Sequence, residues 1–251
     1  MLDDRTEKTL AQFTREVRRL LGEDLLAVAL YGSGAGNNFV AGTSDFNVVL
    51  VVKELRFEVL QKLHPRMKAW HKQGFALPLL MDQEFLQRSR DVFPMEFHDI
   101  TEQHRVLWGE DVFRTLEIDD RHLRFQAEYE ARSKLLRLRA LYLECAGDRH
   151  ALRMLMLDSL KTFLILMRTL LRIRGEHGAL TYGEVLERFE RGFGQAFSRM
   201  RQLLAIRAKQ QGWPAEDGAE FFRDYLTEVQ QLVTIIDQLY AGVQPTHDRP
   251  A

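Results

Sequence analysis

The run Asn47-Val48-Val49-Leu50-Val51-Val52 most restricts what this chain can fold into. Five consecutive apolar residues, four of them β-branched, favour an extended backbone and leave both faces of that strand apolar. A strand of this kind has to be covered on two sides, as in a sheet with helices on each face. The neighbouring patterns agree with such a layer. Leu25 to Tyr31 is a second short buried run. Asp4 to about Leu21 brings Leu10, Phe13, Val17, Leu20 and Leu21 onto one helical face, and Glu54 to Gln73 is helical again. Phe75 to Met81 is expected as a third strand, followed by a short helix, and Pro94 to Ile100 as a fourth strand. Strands alternating with helices predict an α/β layer.

From about Asp119 onward the strand signals stop. Helical patterns cover Asp119 to Ala146, Arg149 to Arg174, Tyr182 to Phe189, Gln195 to Lys209 and Ala219 to Tyr240, with breaks at glycine-containing segments. The expectation is an α/β domain over residues 1–118, an all-α helical bundle over 119–243, and a disordered polar tail over 244–251. At 251 residues with 45% hydrophobic content the chain has material for two modest cores.

Net charge is -1 and names no partner, but its distribution is uneven. Residues 119–175 hold 12 basic and 7 acidic side chains, whereas 1–118 hold 15 and 18. The basic stretch reads either as a solvated, arginine-rich helix surface or as a wall facing a polyanion such as a nucleoside triphosphate. The single Cys145 excludes an intrachain disulfide and fits a reducing compartment. The N-terminus lacks the apolar core of a secretory signal, and no apolar run reaches the length of about 20 residues that spans a bilayer. A soluble, cytoplasmic protein without a membrane partner is expected. No recognition motif points to nucleic acid.

Between the first two strands lie Gly32-Ser33, eleven residues, then Asp45-Phe46-Asn47. A Gly-Ser pair that leaves a strand and opens a short helix offers backbone N–H groups and a hydroxyl to an anion, although an ordinary connecting turn uses the same residues. Asp45 and Asn47 are two apart, so an extended chain projects both from one face, where their oxygens can share a Mg²⁺ with a triphosphate. Glu96, alternating with Met95 and Phe97, is placed on the polar face of the expected fourth strand. Regular alternation puts Asp99 on the opposite face, and a bulge would reverse that choice.

Gly32-Ser33, the spacer, Ser44-Asp45-Phe46-Asn47 with its valine-rich continuation, and Glu96 in the segment FPMEFHDITEQHRVLWGEDVF together resemble the polymerase-β-type nucleotidyltransferase superfamily. They are most similar to its bacterial group of aminoglycoside adenylyltransferases and related proteins with a C-terminal helical domain. The motifs span about residues 25 to 115. The resemblance implies a nucleotidyltransferase fold with a mixed sheet, followed by a helical bundle forming the other wall of a ligand cleft. It implies ATP or another NTP as donor, Mg²⁺ as cofactor and an unidentified hydroxyl acceptor. Gly32, Ser33 and Ser44 become nucleotide-phosphate binders, Asp45, Asn47 and Glu96 the metal and catalytic positions, with Glu96 a ligand or the general base.

Two departures stand out. Position 47 is Asn where the family pattern asks for a carboxylate. Opposite charges about 4 Å apart interact by roughly 4 kcal/mol at an effective dielectric of about 20. Losing half of that costs on the order of tenfold to a hundredfold in rate. The loop GAGNNFVAGT also lacks a basic residue, so phosphate charge falls to backbone, metal, or the bundle cations Lys134, Arg137 and Lys161. A basic bundle suits a cationic aminoglycoside poorly. The chain therefore reads as a nucleotidyltransferase impaired at Asn47, or alternatively as an inactive nucleotide-binding, regulatory or antitoxin-like protein of the same fold. Arg172 and His177 match the R-x4-H spacing of a helical ribonuclease family, but flanking Gly175 and Gly178 favour an incidental loop histidine. The oligomeric state stays open.

Overall fold

The computed structural model describes residues 3–35, 45–178, 180–215 and 218–241. The chain divides into two compact units, Met1–Asp119 and Asp120–Ala251.

The first unit opens with α1 (Asp4–Leu21), where the Asp3 side chain accepts from Thr6 N at 2.7 Å. Acidic Asp4 and Glu7 lie in its first turn and basic Arg18 and Arg19 in its last, which complements the helix dipole. The sheet then forms from β1 (Leu25–Tyr31) and β2 (Asn47–Val52), which pair antiparallel. Helices α2 (Phe57–Leu63) and α3 (Met67–Lys72) lead to β3 (Leu79–Asp82), parallel to β2. Then follow α4 (Gln83–Arg88), α5 (Pro94–Glu102) and β4 (His104–Gly109), the last antiparallel to β1. The strand order is β3-β2-β1-β4, a mixed sheet.

Both faces of β2 are covered, as its valines require. Val48, Leu50 and Val52 pack with Val28, Leu30 and α1 residues Leu10, Phe13 and Val17. Val49 and Val51 pack on the other side with Ala27, Ala29, Phe97 and Ile100. At the far end of β4, a Cβ built on Gly109 would lie 2.1 Å from Leu26 O, so only glycine lets β4 close onto β1 there.

Two strand expectations are corrected. Pro94 to Ile100 is not a strand but the body of α5, and the fourth strand comes from His104–Gly109. The period-2 alternation covers only Met95 to His98. Apolar Ile100 and polar Asp99 break it, while Pro94, Phe97 and Ile100 recur at the three-residue spacing of a helix whose first turn tolerates proline. The third strand is shorter than the expected Phe75 to Met81. Phe75 makes only an isolated bridge to Phe46, and regular pairing begins after Pro78, which has no N–H to give a ladder.

Helices are the only regular elements among the described residues of the second unit: α6 (Asp120–Glu144), α7 (Arg149–Ile173), α8 (Tyr182–Phe193), α9 (Ser198–Arg207) and α10 (Gly218–Ala241). α7 is the central element, burying Leu152, Met156, Leu160, Phe163, Met167 and Leu170 among others. Thr181 and Glu184 form a capping box at α8. Glu228 of α10 caps α9 from outside, accepting from Arg199 N at 2.7 Å, Met200 N at 3.0 Å and Ser198 Oγ at 3.2 Å. Arg132 ties α6 to α10 through Asp237 at 2.7 Å. None of the described helices is long and apolar enough to cross a membrane. The expected tail, 244–251, lies outside the described residues.

Candidate functional site

Sheet register decides which side chains meet at the end of β1. Tyr31 stands opposite Asn47 on one side and His104 on the other, and directly opposed residues project from the same face. It is the face on which Ala29 and Val49 pack against α5, and Tyr31 itself packs partly buried on that core. Alternation places Asp45, exposed just before β2, on the same side, since Phe46 between them belongs to the opposite core.

Helix α5 supplies the carboxylates. Glu96 is exposed in its first turn, and Asp99, half-buried, is three residues on, so the two share a helix face where a strand would have separated them. Both act on Tyr31. Burial pushes the Tyr31 hydroxyl above its ordinary value of 10, and the negative charges of Asp99 and then Glu96 push it further. Glu96 therefore reaches the site from a helix above β1 and not, as expected, from a strand beside β2. Asp99 joins it.

The glycine turn lies against the same corner. Gly32 begins a short 3-10 turn, Gly32–Gly34, with φ of 66°, a left-handed conformation that glycine adopts without strain. A Cβ added to Gly32 would lie 3.6 Å from Asn47 Nδ2, so the Asn47 amide packs beside the turn. The Gly32 N–H donates to Gln103 O at 3.1 Å and its carbonyl accepts from Ala35 N at 3.0 Å. The Gly32 amide is thereby committed to the fold, which leaves any backbone contact with an anion to Ser33 and Gly34. The Gln103 side chain is buried beside this turn, 4% exposed, and neither end of its amide has a hydrogen-bond partner among the described residues.

Ser44 lies outside the described residues, as does the side chain of Ser33. Lys161 stands exposed on α7 of the second unit. Lys134 and Arg137 line a cavity of about 250 Å³ between α6 and α7 with Asp158, Ser159, Thr162 and Phe163. Arg172 is 2% exposed within α7, and His177 is in the loop after it. Among the described residues no three His, Cys, Asp or Glu side chains gather closely enough to hold a metal ion. Asp45 with Asn47 offers one carboxylate and one amide. That donor set fits a Mg²⁺ delivered by a triphosphate, which brings most of the ligand oxygens itself, better than an ion held in advance.

Sequence reasoning missed Tyr31 and set Asp99 aside. The position of Tyr31, immediately before the glycine turn and across from Asn47, was available from the strand boundaries. Asp99 followed only once the segment was known to be helical.

The sequence matches no protein-family model and no curated protein. The structure is similar to spectinomycin adenyltransferase AAD(9) from Enterococcus faecialis, solved with ATP and spectinomycin, at a TM-score of 0.60 and 11% identity over 92% of this chain and 99% of that one. A nucleotidyltransferase-like protein from Exiguobacterium sibiricum aligns at a TM-score of 0.40 and 13% identity over 97% of this chain and 82% of that one. The first of these likenesses extends over both units and identifies the fold: a nucleotidyltransferase-type mixed α/β layer followed by a helical region.

Proposed function

We propose that this chain transfers a nucleoside monophosphate from an NTP to the hydroxyl of an acceptor, releasing pyrophosphate. The observation that carries the reading is the gathering of the Gly32 turn, Asn47 and the Glu96 and Asp99 carboxylates around Tyr31 at one end of one sheet face. The ATP bound by the adenyltransferase of similar fold supports an NTP as donor.

In this reading Ser33 and Gly34 meet the phosphates through their N–H groups. Glu96, exposed at the start of α5, takes the proton of the acceptor hydroxyl as its oxygen bonds to the α-phosphorus and the bond to the β-phosphate oxygen breaks. Asp99, on the same helix face, adds a second negative charge at this corner, felt by Tyr31. Asp45 and Asn47 would hold a Mg²⁺ arriving with the nucleotide, which would neutralise charge on the phosphates.

A second reading, a silent nucleotide-binding protein, is favoured by the amide at position 47 and by the absence of an acidic trio among the described residues. Calorimetric titration with ATP, with and without Mg²⁺, separates the two when run on the natural protein and on Asn47→Asp. The enzyme reading expects metal-dependent binding in the natural protein and a gain of about tenfold to a hundredfold in turnover on Asn47→Asp. Binding that ignores Mg²⁺ until the aspartate is installed overturns it in favour of the silent protein.

A further inference from the structure

The cavity between α6 and α7 combines apolar walls with polar groups that the fold leaves unused. Leu138 and Phe163 line it as buried side chains, and Leu141 and Leu155 extend the apolar surface from half-buried positions. Arg137, Asp158 and Thr162 line the same space, and among the described residues none of the three has an ion pair or a side-chain hydrogen bond. Thr14, Thr169 and Thr234, also helical, donate their hydroxyls to the carbonyl four residues earlier, which Thr162 does not. Arg137 and Asp158 carry opposite charges on neighbouring helices yet form no bond with each other. The remaining polar groups are engaged: Ser159 Oγ shares a hydrogen bond with the Tyr225 hydroxyl at 2.8 Å, and Lys134 pairs with Glu130 at 3.3 Å.

Mixed charge narrows the guest. A plain anion would meet Asp158, and a plain cation would meet Arg137 and Lys134, so each is opposed by a like charge. A molecule carrying both charges satisfies both sides. The cavity of about 250 Å³ has room for about eight waters at their liquid share, the bulk of a molecule of about ten non-hydrogen atoms. We propose that it binds a small zwitterion with an apolar body, the chemistry of an α-amino acid such as leucine. The ligand carboxylate pairs with the planar fork of Arg137 and accepts from the Thr162 hydroxyl, with Lys134 adding positive charge. Its ammonium pairs with Asp158, and its side chain lies against Leu138 and Phe163. All of these residues belong to α6 and α7, and binding requires no nucleotide, so the site stands or falls independently of nucleotidyl transfer.

An NMR titration of the full chain with L-leucine tests this, alongside two probes that each lack one charge, isocaproate and isoamylamine. Leucine should saturate with a dissociation constant of about 1 mM or tighter, and each single-charge probe should bind about tenfold more weakly. Arg137→Met should weaken leucine by about tenfold and leave isoamylamine no weaker, whereas Asp158→Asn should weaken leucine equally and leave isocaproate no weaker. Both side chains are exposed, so neither substitution should move the thermal melt. Absence of saturable leucine binding up to about 50 mM overturns the proposal, as does a leucine affinity indifferent to both substitutions. A single-charge probe that binds as tightly as leucine also overturns it, by making the cavity a simple anion or cation site.

Discussion

Two pairs of carboxylates, Asp224 with Glu228 on α10 and Glu96 with Asp99 on α5, show how differently one chemical group is used in the two units. Glu228 is 7% exposed, and burial pushes its carboxyl above the ordinary value despite the backbone N–H groups of Arg199 and Met200 and the Ser198 hydroxyl that hold it down. Asp224 is held low by its hydrogen bonds from Arg199 and Arg223. Both are spent on the fold: Glu228 closes the N-terminus of α9 that Phe197 cannot cap, and Asp224 holds the Arg199 side chain beside it. The α5 pair instead projects its charge onto a partly buried phenol just before a glycine turn. Glu228, buried and with its titration displaced, is structural, so burial and a displaced titration do not by themselves mark chemistry. What separates the pairs is whether the carboxylates are tied up by donors of the fold, as in α10, or stand on a helix face beside the Tyr31 hydroxyl and the glycine turn, as in α5.

The comparison predicts opposite phenotypes. Glu96→Gln should lower the turnover of nucleotidyl transfer by a hundredfold or more, the range for loss of a general base, and leave the melting temperature unchanged since the side chain is exposed. A variant that melts early with normal turnover would move Glu96 into the structural class. Glu228→Ala should do the reverse. It leaves two backbone N–H groups at the start of α9 without their acceptor and should cost about 2–3 kcal/mol in urea denaturation, with turnover per folded molecule unchanged.

Gly109→Ala provides a scale for these effects that is independent of charge. Its Cβ would collide with Leu26 O and Ala27 Cα, backbone atoms that cannot swing aside, and the residue holds a φ of 85°. Loss of about 2–4 kcal/mol is expected, read as an earlier unfolding midpoint. A near-neutral result would mean that β4 can detach from β1 at little cost.

How far each region could be read from sequence follows from the length of its patterns. The long helices of the second unit repeat their period over many turns, and α7 begins and ends within a residue of where periodicity puts it. β2 was equally plain, because valine on both parities has no good alternative. α5 was not. Nine residues hold few repeats, and Met95 to His98 satisfy a strand over the very stretch that carries Glu96. Misreading that segment sent Asp99 to the wrong face and hid Tyr31, whose surroundings depend on α5 packing above it. Gly32 and Asn47 were legible as a pair by spacing, but that the Gly32 N–H belongs to Gln103 is a tertiary fact that no local pattern encodes.

The smallest effect is also the sharpest, because it has a sign. Glu228 and Glu184 both cap helices, yet they should respond to pH in opposite directions. Hydrogen bonds from the Thr181 N–H and hydroxyl hold the Glu184 carboxyl below its ordinary value of 4.5, so its contribution is present above pH 4.5 and is lost as pH falls through the lowered value. The Glu228 carboxyl is raised above 4.5 with burial as the main cause, so the folded state binds its proton more tightly than the unfolded chain does. Its contribution is fully present below pH 4.5 and is lost as pH rises through the raised value. Denaturation measured from pH 3 to 7 on the natural protein, Glu184→Gln and Glu228→Gln isolates each term by difference. The stability difference between natural protein and Glu184→Gln should grow with rising pH, and that for Glu228→Gln should shrink. A Glu228 difference that instead grows would mean that the three donors at the start of α9 outweigh burial, and would place Glu228 beside Glu184 as an ordinary cap.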